Sequence, residues 1–206
     1  MPDIEATLCF LASLPKYQTE KPFRLIPGAG KYFKHDISNV VAATRDRIRI
    51  TDIRNRVAEF NLDRNGFEVL SHKSAHPTLD SEKQVNAYKA ETVELLMSHL
   101  NAEKVICFDF RHRIHQEFEK GTVVDYNDPT TREGPAIMAH SDHTFESGLV
   151  VVNAHLSDDE KERYLSGDWR IRLMNTWRPL LVSKINHLQF VTPVLPHPVI
   201  WLHVIG

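Results

Sequence analysis

The stretch GPAIMAHSDHTFESG, Gly134 to Gly148, places two histidines and an aspartate within four residues, beside apolar side chains and between glycines. If Ile137 to Asp142 is extended, side chains alternate, so Met138, His140 and Asp142 share one face while Ile137, Ala139 and Ser141 share the other. Imidazole and carboxylate would then converge on one point. An HxD pair at a strand end supplies two of the three ligands of a 2-His-1-carboxylate triad, which leaves open positions on Fe(II). The third would be a histidine from a later strand. The competing reading is a hydrogen-bonded polar turn at the end of a strand. With 12 histidines in the chain, HxD arises easily by chance, and spacing alone does not decide between the two.

Working outward, KVICFDFR at Lys104 to Arg111 is apolar on both faces, which predicts a central strand. The polar, Pro- and Gly-punctuated run from Asn127 to Pro135 reads as a loop feeding the histidines. SDDEKERYLSG opens with a capping box, Ser157 and Glu160, and stops at Gly167, so a helix is expected there. WRIRLMNTWRP then alternates as a strand, with Trp169, Ile171, Leu173, Asn175 and Trp177 on one face, of which the apolar four are expected to face the core. Upstream, Val85, Tyr88, Thr92, Leu95, Leu96 and Leu100 recur at helical spacing after Ser81 and Gln84, a second capping box, and predict an amphipathic helix to about Asn101. ATLCFLA from Ala6 to Ala12 reads as a buried strand and Pro15 to Gly30 as an extended arm. RIRITDIR and AEFNLDRNGFEVLSH alternate, with Asp63 to Gly66 as a hairpin-type turn between Phe60–Leu62 and the run that follows.

Composition narrows the function classes. Hydrophobic residues make up 42% of 206, enough for an ordinary core. Lys and Arg number 25 against 27 Asp and Glu, so no basic surplus points to nucleic acid or an anionic membrane. The N-terminus lacks a basic region before its short apolar run, which argues against a signal peptide and for a cytoplasmic protein. Cys9 and Cys107, the only cysteines, sit in apolar stretches and read as reduced core thiols.

Five blocks in order, FNLDRNGFEVLSHKSA, VICFDFRHR, REGPAIMAHSDHTFESG, LSDDEKERYLSGDWRI and LMNTWRPL, resemble the fungal asaB-type hydroxylase/desaturase family, which is related to a gibberellin desaturase and a cephamycin methoxylation component. The resemblance runs from about Thr7 to Leu180. It implies an α+β, mainly β fold, a partial double-stranded β-helix or jelly-roll with two or more flanking helices. It also implies an oxidoreductase of fungal secondary metabolism, of the kind that serves mycotoxin biosynthesis. Its cofactors would be Fe(II) and 2-oxoglutarate, its substrate a small molecule, and His140 and Asp142 the first two iron ligands. His143 would be a surface or supporting residue. Arg178 would face the site, hold an anion or sit in solvent, and the Arg111 to His115 cluster would be a polar strand exit.

The relatives continue past Leu180 to a distal histidine and a basic residue that would grip 2-oxoglutarate. Here the chain runs LVSKINHLQFVTPVLPHPVIWLHVIG instead, with no Asp, Glu, Lys or Arg from Leu188 to Gly206. Pro193, Pro196 and Pro198 argue against a transmembrane helix. The expectation is one oxygenase-like domain, residues 1–180, that lacks its late strands, and a divergent apolar tail, residues 181–206, in a shortened product. His187, His197 and His203 match no ligand motif, so a catalytically inactive remnant or an accessory binding protein stands as the alternative to an oxygenase.

Overall fold

A computed structural model of the chain describes residues 3–24, 38–114, 125, 127–180 and 204–205. The chain divides into two compact units, one made chiefly of residues 1–55 and 136–140, the other chiefly of 56–119, 124–135 and 141–206.

The first unit is an antiparallel pair. Strand β1, Ile4–Leu11, pairs with β2, Ala42–Ile50, from Ile4 opposite Ile50 to Leu11 opposite Ala42. The register slips between Ala6 and Leu8. Arg47 there takes a left-handed φ of 56° and Thr7 Oγ1 donates to Asp46 Oδ1 at 2.7 Å, the marks of a β-bulge. The expected arm begins as a 3-10 turn, Pro15–Gln18, and the Tyr17 hydroxyl ties it back by donating to the Asn39 carbonyl at 2.7 Å. The rest of that arm, from residue 25, lies outside the described residues.

The second unit is built on a helix. Asn61 caps α1, Leu62–Asn65, and Gly66 closes it at φ 75°. Asp63 to Gly66 is thus one helical turn, not a hairpin, because Asn61 accepts from the Arg64 N–H and favours helix initiation over a strand-to-strand turn. Helix α2, Glu82–Leu100, starts at Ser81, whose side chain accepts from the Gln84 N–H, and ends at Asn101 in the left-handed region. Its buried stripe is Val85, Tyr88, Thr92 and Leu96, the spacing read from sequence. Leu79, Val85 and Tyr88 pack with Phe110 and Leu180, while Leu96 packs with Met174, Leu62, Leu100, Val105 and Cys107. Each fully buried apolar side chain is worth about 1.5–3 kcal/mol, so α2 organises the core.

Two expectations are corrected. Residues 104–110 form no ladder among the described residues; Val105, Cys107 and Phe110 lie against α2 instead. The run from Trp169 to Pro179 is strand only at β5, Thr176–Trp177. Met174 is buried there, whereas Trp169, Ile171 and Trp177 are exposed. Packing against Leu96 selects the methionine, and Trp169 finds its partner on the surface, edge-on to Tyr164 at 5.3 Å. Among the described residues helix exceeds strand.

The remaining elements are short. Strand β3, His112–Arg113, pairs parallel with β4, Arg132–Glu133. Helix α3, Phe145–His155, was not foreseen; α4, Asp158–Tyr164, carries the foreseen capping box of Ser157 and Glu160. Strand β6, Val204–Ile205, pairs parallel with β5. Cys9 and Cys107 are free and half-buried, and burial pushes the Cys107 thiol up. Among the described residues no helix is long and apolar enough to cross a membrane.

Candidate metal centre

The loop that carries His140 and Asp142 is positioned from both ends. Before it, Arg111 donates to Glu133 Oε1 at 2.8 Å and also pairs with Asp109 at 3.0 Å. Arg113 donates to the Gly134 carbonyl at 2.8 Å. The Arg111 to Arg113 part of the basic cluster therefore grips β4 and the start of the loop, while His115 lies outside the described residues. After it, Thr144 and Ser147 form a reciprocal capping box that starts α3.

The residues between are not a strand. From 134 to 144 the chain is irregular, with bends at Met138 and Asp142. The extended alternation expected for Ile137 to Asp142 is absent for two physical reasons: Pro135 cannot donate to a ladder, and the cap at Thr144 turns the chain into a helix two residues past Asp142. Each candidate ligand is fixed within its own unit. His140 is exposed and ends the 136–140 segment, where Ala139 N–H donates to the Cys9 carbonyl at 2.8 Å. Its Nδ1 lies 2.7 Å from the Met138 carbonyl. A carbonyl only accepts, so Nδ1 carries the proton and the basic nitrogen of the neutral ring is Nε2, the tautomer of a metal ligand.

Asp142 belongs to the second unit and is also exposed. Its Oδ2 accepts a hydrogen bond from Asn175 Nδ2 at 2.7 Å. The other end of that carboxamide, Asn175 Oδ1, is buried and accepts no hydrogen bond among the described residues. The sequence reading had Asn175 only as one residue on a face of that alternating run. A lone carboxamide on a face of Trp169, Ile171, Leu173 and Trp177 was the signal that could have marked it. His143 is half-buried, with the Phe108 ring 6.3 Å from its own.

Arg178, the third open question, is paired and largely out of solvent. Its guanidinium donates to Glu91 Oε1 at 3.3 Å and lies 4.9 Å from the centre of the Tyr88 ring. Burial pushes the Glu91 carboxyl up, but hydrogen bonds from Ser74, the Ala75 N–H and His72, with the charge of Arg178, outweigh it and bring the group down to about 2.

A histidine of the right tautomer, a carboxylate held from one side and an orphaned buried acceptor beside it suit two of the ligands that Fe(II) would need. No group of three His, Cys, Asp or Glu that could hold a metal ion occurs among the described residues.

The profile of a family described as "Oxidoreductase/YMDC permease-like domain" matches residues 10–187. The chain belongs to this family. An alpha-ketoglutarate-dependent dioxygenase from a fungal species is 28% identical over 134 residues, 65% of this chain and 46% of that protein. A hydroxylase/desaturase from Hormonema carpetanum is 25% identical over 146 residues, 66% of this chain and 46% of its own length. A gibberellin cluster GA4 desaturase from Gibberella fujikuroi is 33% identical over 78 residues, 34% of this chain and 23% of that one. These matches bear out the resemblance read from the five sequence blocks. The chain spans less than half the length of these relatives. Among solved structures, an iron and alpha-ketoglutarate-dependent endoperoxidase superposes with a TM-score of 0.61 at 20% identity, over 81% of this chain and 56% of that one. The two share a fold over that part.

Proposed function

We propose that the chain is an oxidoreductase of the hydroxylase/desaturase type, acting on a small molecule of fungal secondary metabolism, with His140 and Asp142 as two ligands of an Fe(II) ion that works with 2-oxoglutarate. In this reading residues 1–180 are the oxygenase-like domain, a partial double-stranded β-helix, and residues 181–206 an appended apolar tail. The observation that carries it is the tautomer of His140, whose Nδ1 is committed to the Met138 carbonyl. The names of the relatives and the fold shared with an iron enzyme support it.

Bound together, Fe(II) and 2-oxoglutarate would supply dioxygen activation and the oxidation of an unactivated C–H bond. The protein's part is placement. His140 offers Nε2, Asp142 offers a carboxylate oriented by Asn175, and the Arg111–Glu133 and Arg113–Gly134 contacts fix where the loop begins.

The test is anaerobic equilibrium dialysis of Fe(II) against the full chain, His140→Ala and Asp142→Ala. Wild-type binding that weakens at least tenfold in both variants is expected, with 2-oxoglutarate-dependent oxygen uptake in the wild type. Equal binding by all three proteins overturns the metal assignment. Iron binding without oxygen uptake overturns the oxygenase and favours an accessory binding protein.

A further inference from the structure

Asn175 is held in an arrangement that a purely structural asparagine does not need. Its Nδ2 donates to Asp142 Oδ2 at 2.7 Å, yet its Oδ1 is buried and takes no hydrogen bond among the described residues. A buried carbonyl oxygen without a donor is costly, and native interiors rarely keep one without a reason. The neighbours of Asn175 keep it there. Met174, one residue before, is buried against Leu96 of α2, and Arg178, three residues after, is paired with Glu91 of the same helix and stacked on Tyr88. The carboxamide is thus delivered to Asp142 by a segment clamped at two points to α2, the longest helix described in its unit, the arrangement that places a supporting residue accurately.

We propose that Asn175 is a positioning residue for the Asp142 carboxylate: Nδ2 holds one carboxylate oxygen and so fixes how Asp142 presents itself to a metal ion, while the buried Oδ1 accepts from a hydrogen-bond donor that arrives with the metal or its ligand. This rests on the reading of Asp142 as a metal ligand. Carboxylates that bind metals are commonly held by such outer partners, and losing one typically weakens metal affinity by about 10–100-fold.

Leucine has the branched, four-heavy-atom outline of asparagine, though more bulk, and neither hydrogen-bonding end. In Asn175→Leu of the full chain, Co(II) and anaerobic Fe(II) affinity falls by about 10–100-fold. At saturating Co(II) the ligand-field absorption spectrum differs from wild type, because the carboxylate is no longer held. The melting temperature of the metal-free protein stays unchanged or rises, since an orphaned buried acceptor is gone. Asn175→Gln, which keeps the carboxamide on a longer stem, recovers part of the affinity. Wild-type affinity and spectrum in Asn175→Leu, with binding still lost in His140→Ala, overturns this inference and leaves the metal reading standing. A variant that melts far lower or does not fold shows a structural asparagine and also overturns it. A wild-type protein that takes up neither metal overturns the metal reading itself, and this inference with it.

Discussion

The Glu91 carboxylate should be a pH-dependent clamp, and Glu91→Gln isolates its charge. Its side chain is 15% exposed and gathers five partners: Arg178 at 3.3 Å, His72 at 2.9 Å, His76 at 3.9 Å, the Ala75 N–H at 2.8 Å and the Ser74 hydroxyl. Glutamine keeps the shape and one acceptor oxygen but removes the charge. The carboxyl falls from an ordinary 4.5 to about 2, a gap that corresponds to about 3 kcal/mol if nothing screened it. Solvent reaches the group, and screening brings the expected contribution to about 1–2 kcal/mol. Because the folded-state value is depressed, that stability is fully present above pH 4.5 and is lost as pH falls through about 2. Urea unfolding of wild type and Glu91→Gln should therefore differ by about 1–2 kcal/mol at pH 7, or about 2–8 °C in melting temperature for a chain of this size. The difference should shrink steadily between pH 4.5 and 2. A gap at pH 7 that persists undiminished at the acid end would mean that shape, not charge, is what the site needs, and the ion-pair reasoning would fail.

Three further substitutions test the scaffold. Ser157→Ala removes the side chain that caps α4 by accepting from the Glu160 N–H, and urea unfolding should show a loss of about 1 kcal/mol; no loss would mean that the Lys104–Glu160 contact alone holds the helix start. Met174→Ala empties a site that is 6% exposed against Leu96, and should cost about 2–5 kcal/mol in the same assay, whereas Trp169→Ala, at a residue 40% exposed, should cost clearly less.

What could be read from the sequence was whatever is decided locally. The stripe from Val85 to Leu96 and the Ser157–Glu160 box need only helical geometry, and both formed where the spacing placed them. The run at 104–110 was legible as apolar and buried, but whether an apolar run becomes a ladder depends on a partner strand, and α2 covers Val105 and Cys107 instead. Alternation from Trp169 to Trp177 placed Leu173 correctly against the core but Trp169, Ile171 and Trp177 wrongly, for the same reason. Period two says which residues go together, and the helix behind them decides which set goes in. Helix α3 was hidden because the loop motif drew the reading toward a strand, although Thr144 and Ser147 stand at capping spacing. At the site, His140 and Asp142 were visible as residue types two apart. Asn175, 33 positions later in sequence than Asp142, was not, since no local pattern reports a contact at that range.

The path from packing to chemistry in the second unit runs through α2. Its Leu96 holds Met174 and its Glu91 holds Arg178, so the segment between them descends along the helix as the residue numbers rise. Asn175 lies inside that bracket and meets Asp142. One anchor is apolar and indifferent to pH; the other is ionic and weakens in acid. The ionic anchor keeps the far end polar, and it leaves Trp177 between the two on the surface. The orphaned Oδ1 of Asn175 costs stability on its own. On a segment held at both ends and touching Asp142, such an acceptor is what the proposed metal site would require.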